Sequence, residues 1–347
     1  MKILLIKTSS LGDVFHTLPA LEDAHSCVPG LQVDWVVEEA FKAIPAWHPA
    51  VNQVIPVAWR RWRKNVLSKQ NRAEMREFRE RIQAEQYDLV LDAQGLVKSA
   101  LMAKLARGPR MGLCRDSCRE PLAARFYQKH ITVPKGEHAI HRLRNLFAQA
   151  LDYDVPAVFS YGVTRSRWEA PNTQSPYWLF LHGTTWDTKL WPEAYWRQLA
   201  QQAIASGRQV VLPWGNEEEH QRAIRIAEGL DGVQVLPRLS LDELTAWLAY
   251  AQAIVGVDTG LSHVAAALEV PAVAIYGATD AVLTGALGPA MTVLSSSLEC
   301  APCLSRTCQR REPGDIQPPC YRSIDPERVF SEVCQRLNAG SSLFDQQ

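Results

Sequence analysis

Lys2-Ile3-Leu4-Leu5-Ile6-Lys7-Thr8-Ser9-Ser10-Leu11-Gly12-Asp13 decides the fold. An apolar run, Ile3–Ile6, breaks at Lys7 into polar residues and a glycine. Beyond it, Leu18, Leu21 and Ala24 recur at helical spacing within residues 14–26. A buried strand, a tight polar turn and a helix make the opening unit of a parallel α/β sheet. Pro19 lies inside the helical stretch and predicts a kink or a late start. The apolar run is too short for a secretory or membrane-spanning segment, which need roughly 7–15 and 20 residues. The expectation is a cytoplasmic protein able to rest on a membrane surface.

The pattern continues outward. Residues 33–37 and 88–92 read as strands, and 72–86 and 96–107 as helices. Residues 153–176 lose the alternation and include Pro156, Pro171 and Pro176. The pattern then restarts, with strands at 177–181, 209–212, 233–236, 253–257 and 272–276. Helices alternate with them at 192–206, 217–229, 241–251 and 261–268. The fold expected is α/β, two Rossmann-like domains facing a cleft. The divisions are 1–155, a linker at 156–176, and 177–325 with a Cys-rich loop at 300–320. The last segment, 326–347, is a helix and tail that can pack back on the first domain.

The chain has 347 residues, enough for two cores, and carries 37 Lys+Arg against 37 Asp+Glu. The balance is uneven. Residues 1–150 hold 23 basic and 15 acidic residues, a surplus of +8, so the remainder holds −8. A basic half points to an anionic partner, or to attraction between the halves.

Chemistry concentrates where strands turn into helices. At 7–13 the spacing matches neither a P-loop nor a dinucleotide fingerprint. Asp13 there reads either as a helix cap or as a general base. In His182-Gly183-Thr184-Thr185-Trp186-Asp187-Thr188-Lys189, the threonines offer donors, and Lys189 is the sole lysine after residue 150. That points to a diphosphate. In Asp258-Thr259-Gly260-Leu261-Ser262-His263, a helix N-terminus suits phosphate, although Asp258 and Thr259 read equally as caps and His263 as a core histidine. Beyond Pro213-Trp214-Gly215, the glutamates that include Glu219 suit a charged first helical turn; one of them could hold ribose hydroxyls. The run Trp59-Arg60-Arg61-Trp62-Arg63-Lys64, with Lys98, Arg119 and His138, suits an anionic acceptor, and Trp59 and Trp62 read as membrane anchors.

These blocks, in this order, resemble the ADP-heptose-using glycosyltransferases of lipopolysaccharide synthesis. Lys7–Asp13 continued by His16-Thr17-Leu18-Pro19 carries the resemblance. So do Asp34-Trp35-Val36-Val37-Glu38-Glu39, Arg60–Lys64, Asp92-Ala93-Gln94-Gly95-Leu96-Val97-Lys98-Ser99, Arg119-Glu120-Pro121-Leu122-Ala123 and Asp258–His263. It covers the chain to about residue 295. It implies a GT-B fold, ADP-heptose as donor, and the first Kdo of Kdo₂-lipid A as acceptor. Transfer would invert the anomeric centre and need neither metal nor cofactor. Asp13 would be the base. Thr184, Thr185, Lys189, Glu219, Leu239, Asp258, Thr259, Gly260 and His263 would bind the donor. Ser10, Gly12, Arg60, Arg61, Arg63, Lys64, Lys98, Arg119 and His138 would bind the acceptor. The resemblance further implies a monomer, peripheral on the cytoplasmic face of the inner membrane, meeting an anionic membrane surface and no nucleic acid.

Two other readings stay open. One is a related core transferase whose acceptor already carries heptose. The other is a non-catalytic nucleotide- or nucleic-acid-binding protein. The resemblance does not reach Cys300, Cys303, Cys308 and Cys320, which read as free thiols or as a four-thiolate zinc site.

Overall fold

A parallel strand covered on both faces needs apolar side chains on both sides. Lys2–Ile6 (β1) meets that need, since Ile3 to Ile6 are all fully buried. The computed structural model describes residues 1–173, 175–310, 314 and 316–344. Positions 174, 311–313, 315 and 345–347, which fall in the expected linker, cysteine loop and tail, lie outside the described residues.

The chain divides into two units, Met1–Val163 and Thr164–Gln347. The boundary falls inside the expected linker.

In the first unit β1 is followed by α1 (Leu11–Cys27), β2 (Gln32–Glu38), β3 (Val51–Val57), α2 (Trp59–Trp62) and α3 (Lys69–Gln83). Then come β4 (Leu89–Asp92), α4 (Val97–Leu105), β5 (Arg110–Leu113), β6 (Lys129–Ile131) and α5 (Ala139–Leu151). The strands form one parallel sheet in the order β3-β2-β1-β4-β5-β6. This is the dinucleotide-fold order without the dinucleotide fingerprint. Its strand order reverses beside β1, so a crevice opens above the carboxyl end of β1. The late start expected of α1 is not what forms: the helix begins at Leu11 and runs through Pro19 to Cys27. Helices α1 and α5 are joined by a buried ion pair, Arg144 Nε to Asp23 Oδ2 at 2.6 Å.

The second unit repeats the plan. It runs β7 (Tyr177–Leu181), α6 (Glu193–Ala205), β8 (Gln209–Leu212), α7 (Glu217–Ala227), β9 (Val233–Val235) and α8 (Leu241–Ala249). It continues β10 (Ala253–Val257), α9 (Gly260–Ala267), β11 (Ala272–Tyr276), α10 (Ala281–Thr284), β12 (Met291–Ser295) and α11 (Pro326–Phe344). The sheet order is β12-β11-β10-β7-β8-β9, again all parallel, with its switch point between β7 and β10. Trp178, Phe180, Trp191 and Trp196 fill the core, with Trp191 edge-on to Trp196 at 4.9 Å. The closing helix, read as able to return to the first half, packs in the second: α11 lies against α6, β10 and β11, and Val329 and Val333 join this core. No helix among the described residues is long and apolar enough to cross a membrane.

Candidate active site

In the first unit the singled-out residues follow the carboxyl ends of its strands. Asp13 sits at the central position, in the first turn of α1. Its Oδ2 accepts the Ser10 N–H at 2.6 Å and the Ser10 hydroxyl at 3.1 Å, so the capping account of Asp13 holds. The base account survives it. The Asp13 side chain is 34% exposed, and its Oδ1 faces Lys7 Nζ at 3.8 Å rather than a hydrogen-bonded partner. Gly12, beside it, is half-buried. Lys7 is buried and donates to the Ala93 carbonyl at 3.1 Å. Burial pushes its pKa down, against the pull of Asp13 and Asp92. The turn is fixed from below: Gln94 Oε1 accepts from the Thr8 and Ser9 N–H groups, at 2.9 and 3.2 Å. Gln94 is set in turn by buried Asp92, which accepts its N–H at 2.8 Å and the Tyr127 hydroxyl at 2.7 Å. Gly95 takes φ +66°, which lets the chain fold back at this point.

The basic residues divide. Lys98 lies near Arg60 and Arg63; burial and those two guanidiniums push its pKa down, while Glu38 opposes them. Arg63, Lys64 and Arg119 are exposed. Arg61 departs from expectation. Its guanidinium sits 3.0 Å from Glu39 and 2.8 Å from Glu74, and it also donates to Asn71, so its charge is already met. Arg61 holds Glu74 down to about 2. His138 is the N-cap of α5, its Nδ1 accepting from the Ile140 N–H at 3.2 Å, with its ring edge-on to His16. Trp62 is not an anchor: it is 5% exposed, packs on Phe78 and donates to Glu74 at 2.8 Å.

In the second unit the loops after β7 and β10 flank the switch point. Lys189 Nζ meets Asp258 Oδ2 at 2.7 Å, and both side chains are about 15% exposed. The Thr279 hydroxyl donates to the same Oδ2, and the Thr184 hydroxyl to the Asp258 carbonyl at 3.0 Å. Asp258 is therefore not a cap, and Thr259, although at the N-cap position of α9, makes no side-chain cap bond. The Ser262 N–H bonds the Thr259 carbonyl, and the amides of Gly260 and Leu261 stand at the electropositive end of α9. Thr185 is exposed, and His263 is buried in α9.

Beside this lies a pocket of ≈ 230 Å³ walled by Trp214, Leu239, Leu244, Thr259 and Leu261, with Glu219 at its polar end. Glu219 Oε2 accepts the Gly215 N–H at 2.7 Å. Gly183 leaves room for Glu219: a Cβ on it would stand 2.7 Å from the Glu219 carboxyl carbon and displace that side chain. Trp214 stacks on His220 at 4.2 Å and donates to the Leu236 carbonyl. A slot that mixes apolar walls with one carboxylate fits a nucleobase and its ribose. The sequence reading names Trp214 and Leu261 without giving them this role, and does not single out Leu244 or Thr279. A tryptophan directly after a strand, at the carboxyl edge, was the available signal.

The four clustered cysteines line one small apolar pocket with Thr188, Gly277 and Ala278. Cys300, Cys303 and Cys308 are exposed, while burial first, then the other thiols, push buried Cys320 up to about 12. Among the described residues no three His, Cys, Asp or Glu side chains are grouped to hold a metal. The loop instead braces the lysine loop. The Thr188 hydroxyl donates to the Ser305 carbonyl at 2.6 Å, and Tyr321 donates to the Thr188 carbonyl at 3.0 Å. Arg306 and Lys189 both lie over the Trp186 ring.

A family model described as Glycosyltransferase family 9 (heptosyltransferase) matches residues 75–312. Lipopolysaccharide heptosyltransferase 1 of Pseudomonas aeruginosa is 51% identical, covering 99% of this chain and all of that protein. The structure of E. coli heptosyltransferase WaaC with ADP superposes with a TM-score of 0.82 at 47% identity, over 85% of this chain and 93% of that one. WaaC with ADP-2-deoxy-2-fluoro heptose gives 0.80 at the same identity and coverage.

Proposed function

The chain belongs to glycosyltransferase family 9, the heptosyltransferases, and we propose that it moves L-glycero-D-manno-heptose from ADP-heptose to the first Kdo of Kdo₂-lipid A. It is a glycosyltransferase, and its place is the assembly of the lipopolysaccharide inner core. We place it at the cytoplasmic face of the inner membrane, where such a lipid acceptor is met. The observation that carries the acceptor half is Asp13: a part-exposed carboxylate, held by Ser10 and Lys7, at the switch point of a sheet whose carboxyl edge is lined by cations.

The chemistry follows from the charges. Kdo carboxylates and lipid A phosphates meet Arg60, Arg63, Lys64, Lys98 and Arg119. Asp13 Oδ1 takes the proton of a Kdo hydroxyl as that oxygen attacks the anomeric carbon of heptose. The bond from that carbon to the β-phosphate oxygen breaks on the opposite face, so the centre inverts and ADP leaves. Lys189 and the first amides of α9 stabilise the charge that grows on the diphosphate. Glu219 holds the ribose, and the slot by Trp214 and Leu239 holds the base.

The test is an acceptor panel. The purified protein is given ADP-heptose with Kdo₂-lipid A or with an acceptor already carrying one heptose, and products are weighed by mass spectrometry. The expected product is Kdo₂-lipid A plus one heptose. Transfer only to the heptosylated acceptor overturns the assignment and makes this the enzyme of the next step.

A further inference from the structure

From Trp59 to Ala73 the chain carries six Lys and Arg residues and no Asp or Glu. Arg61 is occupied by the Glu39–Glu74 pair, and Arg60 lies over the Phe41 ring beside the acceptor cations. Arg63, Lys64, Lys69 and Arg72 are exposed. Between them stand Val66 and Leu67, 54% and 82% exposed. Two adjacent apolar side chains turned outward inside a basic segment differ from a scattered surface leucine.

The loop does not present them by default. Asn71, itself buried, donates to the Asn65 carbonyl at 2.6 Å, and the Ser68 N–H closes a turn onto the same carbonyl. Beneath, Trp62 is packed into the core and tied to Glu74. The segment is thus pinned at both ends, with its tryptophan inward and its valine and leucine outward. It follows β3 and precedes α3, which places it at the carboxyl edge of the first sheet, the edge that carries Asp13 and Lys98.

We propose that residues 65–72 form a docking loop for an anionic bilayer: Val66 and Leu67 enter the headgroup–acyl boundary while Lys69 and Arg72 meet lipid phosphates, beside Arg63 and Lys64 of the acceptor site. Neither signal alone gives firm binding; an apolar tip with a polybasic collar supplies both. The anchor is therefore not the tryptophan pair that the sequence suggests. Docking at this edge would bring the acceptor site to the depth at which a lipid-linked sugar lies. The inference rests on the acceptor being a membrane lipid, but its binding readout uses neither donor nor acceptor, so the two ideas fail separately.

The test pairs two measurements on the full chain with Val66→Asp/Leu67→Asp. Both side chains are exposed, so the fold should be retained, as a thermal melt will check. Flotation uses vesicles of phosphatidylethanolamine with phosphatidylglycerol, beside vesicles of phosphatidylcholine. Turnover is measured on Kdo₂-lipid A in vesicles and on a deacylated, water-soluble acceptor. The wild type is expected to bind the anionic vesicles alone, with the variant weaker by about tenfold. The variant should match the wild type on the soluble acceptor and lose turnover only on vesicles. Equal flotation of variant and wild type overturns the proposal, as does absence of wild-type binding. An equal loss of turnover on both acceptors also overturns it and assigns the loop to the acceptor itself.

Discussion

Lys189 and Asp258, distant in sequence, form an ion pair of 2.7 Å at the switch point of the second sheet. The pair sits where a diphosphate would lie above α9, and Thr279 and Thr184 hold the aspartate in place. On the proposed function, donor phosphate and Asp258 would share one ammonium. Lys189→Met should lower kcat/KM for ADP-heptose by about 10²-fold, the size usual for removing one transition-state donor. Asp258→Asn should cost less, because the lysine remains. Steady-state kinetics with varied donor checks both, and a Lys189→Met enzyme with unchanged kcat/KM removes Lys189 from the donor site.

The nucleotide slot gives a second expectation. Trp214→Ala opens one wall of the pocket beside Leu239 and Leu244. If the base lies there as proposed, that wall would touch it equally in ground and transition states, so KM for the donor should rise about tenfold with little change in kcat. A fall in kcat at unchanged KM would place Trp214 outside the nucleotide contact.

Asp23 and Arg144 tie α1 to α5 through two hydrogen bonds, 2.6 and 3.2 Å, with both side chains under 5% exposed. Arg144 also donates to the Pro156 carbonyl. Asp23→Ala strands a buried guanidinium and should cost about 3–5 kcal/mol in urea unfolding. A cost below about 1 kcal/mol would mean that water reaches the charge.

Acid should loosen the second unit through His182. Burial first, then Arg222, push this imidazole from 6.5 down to about 4. Between those values the unfolded chain binds the proton and the folded chain does not. Stability therefore falls as pH drops through 6.5 and levels off below 4. The contribution is on the order of 3 kcal/mol. Urea midpoints across this range should lose that part of their slope in His182→Phe; an unchanged slope assigns the acid sensitivity to another group.

Both sheets were legible because their central strands are unbroken apolar runs bounded by turn residues, as at Ile3–Ile6 and Ile254–Val257. The edges were not. The β3 strand carries Asn52 and Pro56, and Pro56 is tolerated because β3 has a neighbour on one side only. The β6 strand is three residues, Lys129-His130-Ile131, too short for any period to show. In the candidate site, residue type and position at strand ends pointed to Asp13, Lys98, Lys189 and Asp258. What the sequence hid was partnership. Arg61 looks free in a basic run, yet Glu39 and Glu74 reach it from two other elements, and Trp62 looks exposed until α3 packs over it.

The most direct measurement compares wild type with Asp13→Asn in the transfer of heptose from ADP-heptose to Kdo₂-lipid A, with EDTA present. Asparagine keeps an oxygen for the Ser10 N–H, so the helix start is retained and a melt should move little, while the base is gone. The expected result is full transfer by the wild type in EDTA and a loss of about 10²–10⁴-fold in kcat for the variant. Wild-type activity abolished by EDTA, or an Asp13→Asn enzyme as fast as the wild type, would contradict the account.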